Sequence, residues 1–358
     1  MTAAVVAPGS VPRQAVLAAG GLLLAISFIA AAGQGAYAIS PAELWQVVLN
    51  LLTGAMGAAG TASSTSPEHL VFVNIRLPRL LLGVAAGAAL GLSGALMQGL
   101  FRNPLADPGL IGVSSGAALA AGVTIVLGSL WFPDLPRTLG SWTLVVMAFA
   151  GSLAVTLLVY GLSQHDGATR VSLMLLAGIA INALAGAGLG FLTFLASDEQ
   201  LRSIQFWLLG SLGGARWSAV ALVCSAVGVA LVAGLRLARP LNALALGEAQ
   251  AALLGVPVER VKAVAVLVTA LAVGAVTATT GIIGFVGLMA PHGVRLLAGP
   301  DHRAVLPGSA LLGAALVLLA DSVARTAVKP AELPLGVLTA FVGVPFFLLL
   351  LRHFKSRL

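Results

Sequence analysis

Few side chains in this sequence have the types and spacing that chemistry requires. Asp321 is the only acid with a long apolar stretch before it, and Arg325 follows four residues later. One helical turn apart, the two pair on one face. Such a pair is either an internally satisfied bridge near the outer end of a membrane helix or the proton site of an ion-coupled transporter. His292 is the only histidine inside an apolar stretch, and the single cysteine, Cys224, has no partner for a disulfide. A membrane enzyme needs paired carboxylates, a metal constellation or an activated nucleophile within a span, and the sequence offers no such set. A phosphate-binding P-loop needs Gly-Lys-Ser/Thr, yet Lys262, Lys329 and Lys355 follow Val261, Val328 and Phe354. If transport is ATP-driven, the ATPase is another polypeptide.

The elements that must position these residues follow from composition. Of 358 residues, 19 are Lys or Arg and 12 are Asp or Glu, while 59% are hydrophobic. Charged residues make up 9% of the chain, against about 25% in soluble domains, so a water-soluble fold could not cover its surface. Disorder is excluded because it needs low hydrophobicity. The basic residues are scattered rather than clustered, so the net charge of +7 does not point to nucleic acid. What remains is an all-α integral membrane protein.

A spanning helix needs about 20 apolar residues, because an unpaired peptide group is costly in hydrocarbon. Long charge-free stretches occur at 14–42, 80–101, 108–133, 138–165, 171–197, 217–235, 263–294, 304–320 and 333–351. The stretch 263–294 is too long for one helix and carries TATTGIIG at 277–284, so it divides near Gly281 into two short helices. Ten transmembrane helices in a single domain over 1–358 result. The gap 44–67, with its Ser-rich end, reads as an amphipathic start followed by a loop.

An even count puts both termini on one side. That side holds Arg13, Arg102, Arg170, Arg236, Arg239, Arg260, Lys262, Arg295, Arg303, Arg352, Lys355 and Arg357, whereas the other holds Arg76, Arg79, Arg137, Arg202, Arg216, Arg325 and Lys329. The positive-inside bias places both termini in the cytoplasm. Arg13 before the first apolar run and Ala36-Tyr37-Ala38 after it also fit a signal peptide, but the run is longer than a usual signal core. The second helix carries Gly83, Gly87, Gly91 and Gly94 at helical spacing, and the fifth carries Gly178, Gly186, Gly188 and Gly190. Small faces let backbones approach closely, which describes a tightly packed bundle and does not imply a pore.

Three segments interrupt the spans. In 102–116, Pro104 and Pro108 end the second helix and Gly109 and Gly112 permit a tight reversal. In 198–216 the piece FWLLGSL is too short to span and suits either a short interfacial helix or a surface loop. The segment 236–262 is the longest on the cytoplasmic side, and Ala243–Leu254 is built of strong helix formers with Gly255 and Pro257 as the stop. Leu246, Leu253 and Leu254 give this expected helix an apolar face that needs a partner, either the protein's own bundle or another chain.

Several segments together resemble one family: RLPRLLLGVAAGAALGLSGALMQGLFRNPLADPGLIGVSSGA at 76–117, FWLLGSLGGARW at 206–217, LALGEAQAALLGV at 244–256, GIIGFVGLMAPHGVRLL at 281–297, PDHRAVLPG at 300–308 and ADSVARTAVKPAELPLGVLTAFVGVPFF at 320–347. They are similar to the FecCD-type permease subunits of bacterial ABC importers for iron chelates, heme and cobalamin, over roughly residues 70 to 352. The resemblance implies a type II importer: a homodimer of ten-helix subunits in the inner membrane, two cytoplasmic ATPase subunits that bind ATP and Mg, and a periplasmic binding protein. The permease itself would carry no cofactor and catalyse no reaction.

Residue by residue, the resemblance assigns the ATPase contact to Leu246, Gly247, Glu248, Ala251 and Gly255, within the coupling segment 236–262. Docking of the binding protein falls to Arg76, Arg79 and Arg325, which would meet glutamates. The pathway along the dimer axis falls to Val171, Ser172 and Asn182 of the fifth helix, with Met289 and His292. Gly293 departs from the family, where a bulky aliphatic is usual, and the 44–67 loop and N-terminal tail have no clear match. The family's substrate affinity lies in the binding protein, so the cargo is weakly encoded here. The apolar walls favour heme slightly, then a ferric siderophore, then cobalamin.

Overall fold

The computed structural model describes residues 11–35, 45–46, 67–131, 134, 139–140, 142–328 and 331–355. The 44–67 loop and the Ala36-Tyr37-Ala38 triplet lie outside the described residues, save for Trp45, Gln46 and Pro67. The described residues are almost entirely helical: α1 Arg13–Gly33, α2 Pro67–Leu100, α3 Val113–Trp131, α4 Trp142–Leu162, α5 Val171–Leu195, α6 Asp198–Leu209, α7 Trp217–Arg236, α8 Ala238–Leu244, α9 Glu248–Leu253, α10 Val258–Thr280, α11 Val286–Ala298, α12 His302–Thr326 and α13 Leu335–Lys355. A two-stranded hairpin, β1 Gln164–His165 and β2 Ala168–Thr169, joins α4 to α5. Among the described residues, α1, α2, α4, α5, α7, α10 and α12 are long and apolar enough to cross a membrane. Shorter apolar helices occupy Val113–Gly128 and Leu335–Leu349.

The helices sort by burial. In α2, 89% of the most apolar window is buried inside the protein, whereas in α5 only 17% is. α2 sits at the centre because its glycines admit backbone on several sides. A Cβ at Gly87 would strike the Gly313 carbonyl oxygen, one at Gly91 that of Ser309, and one at Gly94 that of Gly287. α12 and α11 thus lie directly on α2, and α7 and α10 complete the core. The fifth helix differs. Gly178 meets the Leu110 carbonyl, but Gly186 and Gly190 face open space. Close packing therefore accounts for the glycines of α2 and for only some of those in α5.

The expected break at Gly281 is present. α10 ends at Thr280, Gly281 takes φ +73°, Phe285 takes φ +65°, and α11 starts at Val286. The broken backbone is covered by protein, as lipid demands: Ser211 donates to the Thr280 carbonyl at 2.7 Å, and Leu335 donates to that of Gly210 at 3.0 Å. The 198–216 segment forms the helix α6, opened by a capping box of Ser197 and Gln200.

Two expectations are corrected. The second helix starts at Pro67 rather than near 80, with a π-helical turn over Phe72–Arg76, so Arg76 and Arg79 stand on the helix and not in a loop. Asp321 and Arg325 lie one turn apart near the end of α12, as expected, and that helix runs on to Thr326. The expected single helix over Ala243–Leu254 is two short helices, parted at Gly247, whose φ of +121° suits glycine alone.

Candidate functional site

The 236–262 segment has two faces. Ala251 of α9 is fully buried against the core, while Leu246, Leu253 and Leu254 are 66%, 88% and 66% exposed. The apolar face is thus turned away from the protein's own bundle. Gly255 ends the segment at φ +79°, with open space where a side chain would be. Glu248, at the start of α9, reaches inward to Lys262, its Oε2 2.7 Å from Nζ.

Lys262 is the residue that sequence reasoning missed. The charge pattern groups it with the basic residues on the side of the termini, yet it lies on α10 with its side chain 1% exposed. Its ammonium donates to Glu248 at 2.7 Å, to Glu259 at 3.0 Å and to the Thr169 carbonyl at 2.7 Å. All three protons are used, as burial of an ammonium requires. Glu259 closes the set by accepting the Thr169 N–H at 2.7 Å. Lys262 therefore joins α9 to the β-hairpin, and Thr169 lies two residues before α5. The i,i+3 spacing of Glu259 and Lys262 was a visible signal for half of this arrangement; Glu248 and Thr169 reach it only through the fold.

At the other end of the bundle, the three arginines assigned to docking are drawn together and held by the protein's own groups. Arg79 places Nε and Nη2 on Asp321 Oδ1 at 3.0 and 2.9 Å, and Nη1 and Nη2 on the two Glu332 oxygens at 2.9 Å each. Arg325 Nε lies 3.0 Å from Asp321 Oδ2, so the expected i,i+4 pair forms and gains Arg79 as a third member. Arg325 also donates to the carbonyls of Gln34 and Ala31 at 2.8 and 3.1 Å, and the buried Arg76 to those of Ala32 and Gly33 at 2.8 and 3.3 Å. α1 has no basic residue in its last turn, and these two guanidiniums satisfy its terminal carbonyls and oppose its dipole. Glu332, outside the spans, is held below the usual carboxylate range by its Arg79 hydrogen bonds.

The residues expected to line the pathway fall into two neighbourhoods. On α5, Val171 is half-buried and Ser172 exposed at the first turn. Asn182 donates to the Gly109 carbonyl at 3.0 Å and accepts from Ser115 at 2.5 Å, which holds the 108–111 turn against α5. On α11, Met289 lines an apolar cavity of about 210 Å³ with residues of α12 and α13. His292 is buried, its ring edge-on to Phe346 at 5.8 Å. α5 packs on α3 and α4, whereas α11 packs on α12, α2 and α13, so one subunit does not gather these five residues into a single cluster. A Cβ at Gly293 would stand 3.0 Å from Leu312 Cδ2, so the departure at Gly293 accommodates a close approach of α12.

Apolar helices around a glycine-packed centre, a broken helix buried inside the bundle and an exposed apolar face at Leu246, Leu253 and Leu254 describe a multi-pass membrane protein. Residues 23–353 match the model of the FecCD transport family, and the chain belongs to that family. It is 45% identical over 337 residues to the hemin transport system permease HmuU of Yersinia pestis, covering 94% of this chain and 95% of that one. It is 43% identical over 290 residues to the cobalamin import system permease BtuC of Halobacterium salinarum, covering 81% and 75% of the two chains. It is also 40% identical over 313 residues to the vitamin B12 import system permease BtuC of an Escherichia coli strain, covering 87% and 93%. Among solved structures it resembles an inward-facing ABC transporter described as being of the metal-chelate type, with a TM-score of 0.80, 30% identity and coverage of 95% and 99%. The chain is thus an ABC importer permease, a subunit whose family leaves ATP hydrolysis to a separate ATPase and works with a substrate-binding partner.

Proposed function

We propose that the chain is one half of a homodimer of ten-span subunits in a bacterial inner membrane, with both termini cytoplasmic. The spans are α1, α2, α3, α4, α5, α7, α10, α11, α12 and α13. Two ATPase subunits, which bind ATP and Mg, sit below, and a periplasmic binding protein docks above. The observation that carries this reading is the exposed apolar face of Leu246, Leu253 and Leu254, since such a patch in water marks an interaction site. ATP binding draws the ATPases together and moves α8 and α9. The Lys262 cluster passes that motion to the hairpin and to α5, where Val171, Ser172 and Asn182 line the axial path; Met289 and His292 of α11 border it elsewhere. Aspartate substitution of both Leu253 and Leu254 is expected to weaken ATPase binding at least tenfold while the melting temperature of the isolated permease stays unchanged. Pull-down with the ATPase, alongside a thermal melt, checks this.

The cargo favoured is heme, then a ferric siderophore, then cobalamin. Identity to the hemin permease, over nearly the whole chain, exceeds that to the two cobalamin permeases, and apolar walls suit a flat, greasy ligand. Proteoliposomes holding permease, ATPase and binding protein, offered heme, a ferric siderophore and cobalamin in turn, test the order. Uptake of cobalamin but not heme would overturn it. Uptake driven by an ion gradient without an ATPase would favour the ion-coupled alternative, which rests on Asp321. Against that alternative, both Asp321 oxygens are occupied by Arg79 and Arg325.

Docking through Arg79 requires the partner's glutamate to displace Glu332, which is the more exposed member of that pair. Glu332→Ala is therefore expected to tighten binding-protein docking by up to about fivefold, the range of an exposed ion pair. Arg79→Glu should weaken docking in a salt-dependent way, whereas Arg76→Glu, buried against the end of α1, should lower the melting temperature. Surface plasmon resonance at two ionic strengths reads both docking effects, and unchanged docking in the Glu332 and Arg79 variants would remove Arg79 from the interface.

A further inference from the structure

Where α1 begins, α7 passes into α8 and α12 begins, a cavity of about 380 Å³ is lined by Arg13, Arg236, Arg239 and Arg303, with Leu235, Ala238 and Pro307. All four arginines are exposed, so water and salt screen their mutual repulsion, and an anion among them would meet several guanidiniums at once. The protein supplies little. Arg303 is ion-paired with Asp301 at 2.9 Å, and among the described residues Arg13, Arg236 and Arg239 have no carboxylate partner. Of the twelve acids only Glu43 lies outside the described residues, and the ten residues that precede Val11 contain none.

Burial raises the Asp301 carboxyl, but hydrogen bonds from Arg303 and Asn242 outweigh this and hold it at about 2. It stays ionised at neutral pH and offsets one of the four cations. The cavity lies at helix ends that share one rim of the bundle, the depth at which lipid headgroups sit. Below it the surface is apolar: Val232 and Val229, one and two turns deeper on α7, are exposed, as are Leu22 and Ile26 on α1. A phosphate accepts two parallel hydrogen bonds from each arginine fork, and basic pockets between membrane helices hold anionic headgroups.

We propose that this cavity binds the phosphate headgroup of an anionic membrane phospholipid, whose acyl chains run along the exposed faces of α1 and α7. The bound lipid would join α1, α12 and α8, and α8 belongs to the coupling segment. The proposal needs only a chain embedded in a bilayer and is independent of the cargo.

Native mass spectrometry of the full chain, purified in mild detergent and exposed to phosphatidylglycerol, cardiolipin or phosphatidylcholine, tests it. The wild type is expected to retain the two anionic lipids at least tenfold over phosphatidylcholine. The Arg236→Gln, Arg239→Gln double variant is expected to bind them about thirtyfold more weakly, with an unchanged melting temperature. The corresponding double lysine variant should keep most of the binding, and Arg202→Gln on α6, at the opposite end of the bundle, should keep all of it. If the double glutamine variant fails to fold, Arg13→Gln on the first turn of α1 gives the same reading with a smaller loss. Equal retention of phosphatidylcholine, an equal loss in Arg202→Gln, or retention of inorganic phosphate without any preference among lipids would each overturn the proposal.

Discussion

Replacing Lys262 by methionine is expected to lower ATP-driven uptake more than tenfold while the partner ATPase continues to hydrolyse ATP. The side chain is buried and its three protons are spent on Glu248, Glu259 and the Thr169 carbonyl. Removing one member of a buried ionic set commonly costs about 3–5 kcal/mol, because the remaining charges lack a partner. Here both carboxylates are 41% exposed and can regain water, so the stability loss should be smaller, roughly 1–3 kcal/mol. The permease would fold, but α9 would no longer be tied to the hairpin before α5. Lys262→Arg keeps the charge and should recover part of the uptake, which a purely structural role would not require. Glu248→Lys sets two cations face to face and should uncouple hydrolysis from uptake in the same manner. Paired measurements of phosphate release and uptake in proteoliposomes decide the matter. Wild-type uptake in the methionine variant would show that motion reaches α5 by another route, without touching the assignment of the ATPase surface.

The second large effect is expected at the centre of the bundle. Gly94→Val should prevent accumulation of folded permease, because its Cβ would occupy the place of the Gly287 carbonyl oxygen on α11. Overpacked cores usually lose about 1–3 kcal/mol, with side chains shifting to make room. A backbone oxygen has no rotamer to change, so α11 itself would have to move off α2, together with the α12 contacts at Gly91 and Gly87. Gly186→Ala on α5 is the contrasting variant. Nothing stands near its Cβ within the subunit, so it should be neutral or stabilise the helix by about 0.5–1 kcal/mol. The yield of folded permease from size-exclusion chromatography in detergent, with a thermal melt of the alanine variant, tests the contrast, and wild-type yield of the Gly94→Val variant would contradict the packing described.

Much of the architecture was legible in the residue string because hydrocarbon imposes local rules. Apolar stretches of about 20 residues located the helices, the glycine-bearing TATTGIIG located the break at Gly281, and the glycine face of α2 announced close packing. Leu246, Leu253 and Leu254 were recognisable as an unpartnered face, and the structure turns them outward. Their single expected helix is two, although Ala243–Leu254 has strong helix propensity throughout except at one glycine. Propensity is a weak guide when a turn at Gly247 lets Ala251 reach the core and Glu248 reach Lys262.

The charged residues divide along the same line. Their scarcity and gaps specified a membrane protein and where its helices lie, because burying charge in lipid is penalised wherever it occurs in the chain. What each charge does depended on partners far away in sequence. Arg79 meets Asp321 and Glu332 across separations of 242 and 253 residues, Arg325 caps α1 across 294, and Lys262 binds Thr169 across 93. Periodicity reports which face of a helix is apolar, yet it carries no information on which other helix that face will meet. The ionic contacts form only where folded helices bring opposite charges within about 3 Å, so the bundle was written locally and its charge networks were set by assembly.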